Sequence, residues 1–296
     1  MPDIKSILVT GANGQLGQSI RRLANHYPQY DFIFSSREQC DLSDSPIISQ
    51  FFKTNRVDLI INCAAYTSVD KAESEVDRAE QVNNKAVEKL AEIAKKQGAK
   101  LIHISTDYVF NGQQYRPYIE TDDVSPQNVY GETKRRGEQA LLSAMTKNAL
   151  IIRTSWLYSA FGNNFVKTML NLGAERDALN IICDQVGTPT YAGDLAQTIM
   201  TIVESNRFNQ SAFTSEIYHY SNEGVCSWYD FAKTIFEVTA SNCTVSPIET
   251  KDYPTPAKRP HYSVLNKAKI KQDFNLSIPY WKDSLQQCLS TLQGSS

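Results

Sequence analysis

Ser6-Ile7-Leu8-Val9-Thr10-Gly11-Ala12-Asn13-Gly14-Gln15-Leu16-Gly17 decides the fold. A short apolar, partly β-branched run runs straight into glycines, so the stretch reads as strand, glycine turn and helix, the helix spanning residues 15–26. Glycines permit the tight turn and let backbone N–H groups approach a pyrophosphate. The start of the following helix adds unpaired donors and the positive end of its dipole. The spacing is G-x-x-G-x-x-G rather than G-x-G-x-x-G, and such a loop alone can be a simple turn; its place directly after a first strand favours phosphate binding.

Alternation continues outward from this unit. Further strands are expected at residues 30–35, 57–63, 100–105 and 149–154. Between them, Ser45-Pro46 opens a helix as N-cap and first turn, a charged helical region over residues 71–97 closes at Gly98, and a third helix carries Tyr130 to about residue 145. Residues 57–63 are almost continuously apolar, as a parallel strand covered on both faces requires. The expected fold class is α/β, a Rossmann-type doubly wound parallel sheet with right-handed crossovers. Residues 1–160 form its dinucleotide-binding domain. Residues 161–296 form mainly a smaller substrate-binding lobe, which returns elements to the sheet or caps it, with helices near 164–175, 195–204 and 228–239. Pro254, Pro256 and Pro260 make an ordered loop of the segment before Leu265.

Composition sets the class. With 296 residues and 41% apolar content the chain can bury a substantial core. A formal charge of −2 with both signs interspersed argues against a nucleic-acid surface, and no apolar run approaches the ~18 residues that cross a bilayer. The six cysteines are scattered without C-x-x-C, none of the four histidines has metal-ligand spacing, and no basic-then-apolar leader is present. These features predict a soluble cytoplasmic protein with reduced thiols and no metal. A homodimer is the default assembly.

Tyr130-Gly131-Glu132-Thr133-Lys134 places a phenol and an amine four residues apart, on one face of a helix. A phenol near 10 exchanges protons poorly at neutral pH, and an ammonium beside it is expected to lower that value. By itself Y-x-x-x-K is a weak signal, equally a helix-surface pair. The glycine turn upstream gives it meaning, because hydride reaching a ketone leaves an alkoxide that needs a proton donor.

Longer motifs sharpen the reading: Asn62-Cys63-Ala64-Ala65-Tyr66-Thr67-Ser68-Val69-Asp70-Lys71-Ala72-Glu73, Ser105-Thr106-Asp107-Tyr108-Val109-Phe110-Asn111-Gly112, Arg153-Thr154-Ser155-Trp156, Gly162-Asn163-Asn164-Phe165 and Asp184-Gln185-Val186-Gly187-Thr188-Pro189-Thr190. With the glycine turn and Y-x-x-x-K, the chain resembles the extended short-chain dehydrogenase/reductase family over nearly its whole length. That resemblance implies Tyr130 as proton donor, Lys134 as the group that tunes it and holds the nicotinamide ribose, and Thr106 as the hydroxyl that orients the carbonyl. It implies Gly11, Gly14, Gln15, Leu16 and Gly17 along the pyrophosphate, Asp41 and Leu42 beside adenine, and Ala64, Ala65, Tyr66 and Thr67 near the riboses. For a dTDP-sugar substrate it implies Val69, Asp107, Tyr108, Trp156 and Arg259, with Trp156 stacking on a ring and Arg259 meeting the diphosphate.

The second strand ends in Ser35-Ser36-Arg37 without the acidic residue that binds a ribose 2′-hydroxyl, and Arg37 can pair with a 2′-phosphate, so NADPH is favoured with NADH also accepted. The implied reaction is reduction of the C4 ketone of dTDP-4-dehydro-6-deoxy-L-mannose to dTDP-L-rhamnose. Two alternatives stand beside it: another nucleotide-sugar epimerase or dehydratase of the family, and a non-catalytic regulatory subunit with the same fold. Dehydratases carry an Asp-Glu pair after the threonine, whereas Tyr108 follows Thr106-Asp107 here.

Overall fold

The computed structural model describes residues 4–294. Strand β1 (Ser6–Thr10) leads through Gly11–Gly14 into α1 (Gln15–Leu23), followed by β2 (Asp31–Ser35), α2 (Ser45–Thr54) and β3 (Leu59–Asn62). The Asp44 carboxylate caps α2 by accepting from Ile47 N at 3.1 Å, so the cap lies one residue before the expected Ser45, which is the first helical residue. A short α3 (Val69–Ala72) precedes α4 (Val76–Glu80), a π turn at Gln81–Lys85 and α5 (Ala86–Gln97), which Gly98 closes at φ 73°. Then come β4 (Lys100–Thr106), α6 (Val129–Ala144) and β5 (Ala149–Thr154).

The second half begins with β6 (Leu157–Tyr158), α7 (Phe165–Glu175), β7 (Ala178–Ile182), β8 (Val186–Gly187), β9 (Thr190–Tyr191) and α8 (Ala192–Glu204). It continues with β10 (Glu216–His219), β11 (Cys226–Ser227), α9 (Trp228–Thr239), β12 (Thr244–Ile248), α10 (Ala268–Phe274) and α11 (Trp281–Gln293).

Six strands form one parallel sheet in the order β10-β5-β4-β3-β1-β2. Alternate residues of each strand feed opposite cores, as the two-residue strand period demands. Ile7, Val9, Ile61 and Ile152 pack with Leu16 and Ile20 of α1 and Leu195 and Ile199 of α8. Leu8, Ile60, Leu101 and Ile151 pack on the opposite face with Ile48 of α2, Leu90 of α5 and Leu141 of α6. Helices on both faces give the doubly wound α/β architecture. Through α8 and β10 the second half of the chain returns to this sheet, while α7, α9 and α11 gather a separate core around Phe231, Trp281 and Leu285.

The strand order reverses between β1 and β3, and the loops after these strands open a crevice there, at the carboxyl edge where open parallel sheets bind ligands. Among the described residues no helix is long and apolar enough to cross a membrane.

Candidate active site

The crevice is a cleft of about 690 Å³ that runs from the glycine turn to the start of α6. At its core Gly11 adopts φ 64°, and a Cβ there would stand 2.8 Å from the Ala64 backbone. Only glycine allows the β1 turn and the loop after β3 to touch so closely. Gly14 precedes α1 in extended conformation, so the helix's first N–H groups open into the cleft without a side-chain cap.

Gly11, Gly14, Gln15, Leu16, Arg37, Asp41, Leu42, Ala64, Ala65, Tyr66 and Thr67 all line the cleft, as do Val69, Thr106, Asp107, Tyr108, Tyr130, Lys134 and Trp156. Gly17 does not. A Cβ on it would lie 2.4 Å from Gly11 O, so Gly17 serves helix-to-turn packing rather than a pyrophosphate. The Gln15 side chain accepts from Ser159 Oγ and Asn164 Nδ2, each at 3.0 Å, and so ties α1 to the second half of the chain, leaving its backbone on the cleft wall. Arg259 lies outside the lining as well. Its guanidinium grips Asp70 through two bonds of 2.9 and 2.7 Å, which pins the Pro-rich segment to α3 and holds the Asp70 carboxyl below the usual carboxylate range.

Thr106 and Tyr130 meet because two backbones approach closely. Asn128 caps α6 by accepting from Gly131 N at 2.8 Å and donates to Lys258 O at 2.8 Å, fixing where the helix begins. Gly131 then lets α6 press against Tyr108 O, where a Cβ would stand at 2.2 Å. Thr106, at the end of β4, reaches both the Tyr130 phenol and the Asp107 carboxylate, the latter at 3.0 Å. Tyr108 meets the Tyr130 ring edge-on, with centroids 5.6 Å apart. The π turn contributes Asn83, whose amide accepts from Tyr66 N at 2.9 Å and donates to Thr133 Oγ1 at 3.1 Å, locking the loop after β3 to α6.

One electrostatic expectation is corrected. Burial pushes Tyr130 up to about 12, the Thr106 hydrogen bond opposing it, so the phenol is not drawn down by the amine. Lys134 is itself buried, 1% exposed, and burial lowers it to about 8 against the pull of Glu138. Its Nζ donates to Ile104 O at 2.6 Å and lies 3.4 Å from His103 Nε2. Lys134 is thus an interior group and Tyr130 a part-buried one on the wall of the same cleft, not a helix-surface pair.

Burial raises Asp107 to about 6, with Ser263 and Thr106 opposing the shift. A carboxyl raised above its unfolded value of 3.8 weakens the fold where it is ionised, so the penalty is complete above pH 6 and fades as pH falls towards 3.8. Asp107→Asn is therefore expected to add about 3 kcal/mol of stability near pH 8 and well under 1 near pH 4. Denaturant unfolding at the two pH values checks this. An equal change at both would exclude ionisation as the cause.

Trp156 lines the cleft with φ 45°, a left-handed conformation that a bulky residue keeps only when its surroundings hold it. Its ring stacks on Trp228 at 3.6 Å, and Gly187 leaves room for the ring edge. One aromatic face is therefore already covered. Trp228, Asn62, Asn83, His103 and Asn128 were not predicted as site residues. A histidine inside the apolar strand 100–105 was the available signal, since a buried imidazole must find polar partners. Among the described residues no group of three His, Cys, Asp or Glu side chains could hold a metal ion.

The model of the RmlD substrate binding domain family matches residues 5–293. This chain belongs to that family. It is 41% identical to a dTDP-4-dehydrorhamnose reductase of Aggregatibacter actinomycetemcomitans over 286 residues, 95% of this chain and 97% of that one. Among solved structures, the RmlD-family fold seen here is similar to a dTDP-4-dehydrorhamnose reductase of Clostridium acetobutylicum, with a TM-score of 0.91, 39% identity and coverage of 97% of this chain and 99% of that one. A dTDP-4-dehydrorhamnose reductase of Bacillus anthracis in complex with NADP also superposes with a TM-score of 0.91, at 36% identity and the same coverages. As an RmlD-family member the chain sits within the extended dehydrogenase/reductase resemblance read from its motifs.

Proposed function

We propose that the protein reduces the C4 ketone of dTDP-4-dehydro-6-deoxy-L-mannose to dTDP-L-rhamnose with NADPH, NADH serving less well. The observation that carries this reading is the convergence of Thr106, Tyr130 and Lys134 on the glycine-turn cleft, in a chain so similar to named reductases. The cleft fits a dinucleotide: a turn that only glycine can make, an uncapped helix start, and Ser36 and Arg37 at the far end where a 2′-phosphate belongs. When bound, the reduced nicotinamide supplies the hydride.

The chain's own groups handle the proton. Tyr130, held at about 12, stays loaded at neutral pH and gives its proton only to a stronger base, which the alkoxide growing at C4 is. Thr106, by turning its single hydroxyl hydrogen from Asp107, donates to the same oxygen and orients the carbonyl. Lys134, near 8, stands on the same helix face to hold the ribose and restore the proton. Val69, Tyr108 and Trp156 shape the apolar wall for the sugar. While paired with Asp70, Arg259 still has its Nε hydrogen and one Nη2 hydrogen to offer a diphosphate. We further infer a reducing cytoplasmic setting, which six free cysteines support, and a homodimeric assembly.

Arg37 pairs with Asp41 at 3.0 Å but keeps an exposed guanidinium. Arg37→Ala is expected to raise KM for NADPH about tenfold and to leave NADH nearly unchanged. Equal losses for both cofactors would remove Arg37 from phosphate recognition. The function itself is tested by mixing the purified protein with the 4-keto sugar nucleotide and NADPH. One equivalent of cofactor oxidised per sugar is expected, whereas an epimerase or dehydratase would leave NADPH intact and a binding subunit would leave both unchanged.

A further inference from the structure

Beneath the cleft runs a chain of buried polar groups that proton donation by Tyr130 does not require. Thr10 Oγ1 donates to Asn62 Oδ1 at 2.6 Å, Asn62 Nδ2 meets His103 Nδ1 at 3.0 Å, and His103 Nε2 faces Lys134 Nζ at 3.4 Å. All four residues are at most 2% exposed. The amide orientation is set by the backbone, because Ala64 N also donates to Asn62 Oδ1, at 3.3 Å. With its oxygen committed to two donors, Asn62 presents N–H to the imidazole, and His103 Nδ1 must accept. A neutral imidazole then carries its proton on Nε2.

That proton points at the amine. An ammonium on Lys134 would face another donor, whereas a neutral amine accepts from Nε2–H and still donates to Ile104 O. We propose that Thr10, Asn62 and His103 form a tautomer lock on Lys134, with His103 as the positioning residue that keeps this lysine close to releasing its proton. The directions agree: burial and the Lys134 charge hold His103 well below the usual imidazole range, and Lys134 sits near 8.

Burial alone already lowers Lys134, and none of the other neighbouring groups adds to that lowering. On α6 they are Tyr130 and Glu138, and Glu138 favours the ammonium. From β5, Arg153 occupies Glu138 through a bidentate pair with bonds of 2.9 and 2.7 Å. Asp107 lies just beyond β4, and the π turn presents the amide Asn83. The loop after β3 offers Cys63, whose thiol burial keeps protonated. The consequence for turnover deepens the reductase reading and rests on it; the tautomer does not.

The test begins with nitrogen NMR of the full chain labelled at histidine, His103 being assigned by loss of its signals in His103→Gln. The lock predicts a bare Nδ1 and a protonated Nε2 at neutral pH. Asn62→Asp keeps acceptors for Thr10 and Ala64 but demands a proton on Nδ1, so it should reverse the tautomer and let Nε2 accept from the ammonium. In His103→Gln, a neutral side-chain oxygen can accept from the same ammonium. Both variants should move the alkaline limb of kcat upward by about one pH unit; because hydration of Lys134 would move it the same way, the reversed His103 tautomer in Asn62→Asp is the readout that loss of packing would not produce. A protonated Nδ1 in the wild type would overturn the lock, and an unmoved limb in both variants would overturn its hold on Lys134. The imidazole measurement needs no turnover, so failure of the lock and failure of the reductase reading are told apart.

Discussion

Tyr130→Phe is expected to lower kcat by about 10²–10⁴-fold while cofactor affinity stays nearly constant. The substitution removes one hydroxyl and keeps the ring that meets Tyr108 edge-on, so the cleft should retain its shape. Among the groups around it, Thr106 has no spare acidity, and Lys134 is committed to Ile104 O. Asp107, at about 6, is mostly ionised at neutral pH and its carboxylate is engaged by Thr106, so it is a poor proton source in its stead. Turnover measured alongside a fluorescence titration of NADPH separates the two effects. Undiminished kcat would remove the phenol from the chemistry.

Gly131→Ala should be nearly as damaging, though it touches no substrate. On an ordinary helix the change would favour folding by about 1 kcal/mol. Here the new Cβ would lie 2.2 Å from Tyr108 O and 3.0 Å from its carbonyl carbon, both backbone atoms that cannot rotate aside. The turn carrying Thr106 and Asp107 must move away from α6, separating Thr106 from Tyr130. A displacement of about 1 Å at the reacting groups is expected to cost about 10²-fold in kcat, together with a lower Tm. A higher Tm with full turnover would show that the two backbones are not pressed together as described.

The strands of the sheet were legible because a parallel strand covered on both faces is written as a continuous apolar run, and residues 59–62 and 149–154 are entirely buried. The glycine turn was legible because a left-handed backbone at Gly11 leaves little choice of residue. The placing of Tyr130 and Lys134 along one helix followed from helical periodicity, but the burial of Lys134 did not: that depends on His103, 31 residues away, and on Ile104 O.

Local spacing is blind to such partners. Arg259 was read towards a diphosphate because its nearest neighbours in sequence fit, while its actual counter-ion, Asp70, lies 189 positions earlier. The Asn83 amide was hidden in a charged helical region, since a π turn shifts the helix face without any mark in composition. In the second half, two-residue strands such as β8 and β9 are too short to show a period, and α10 and α11 follow a Pro-rich stretch that obscured them.

The claim on which the rest stands is that this cleft passes hydride to a sugar ketone while Tyr130 supplies the proton. Incubation of the protein with the 4-keto-6-deoxy sugar nucleotide and NADPH deuterated at the transferable position of the nicotinamide measures this directly. NMR of the product should show deuterium bound at C4, one per cofactor oxidised, with the ring in the L-rhamnose configuration. Sugar recovered without deuterium at C4, or product formed while NADPH stays reduced, would contradict the account.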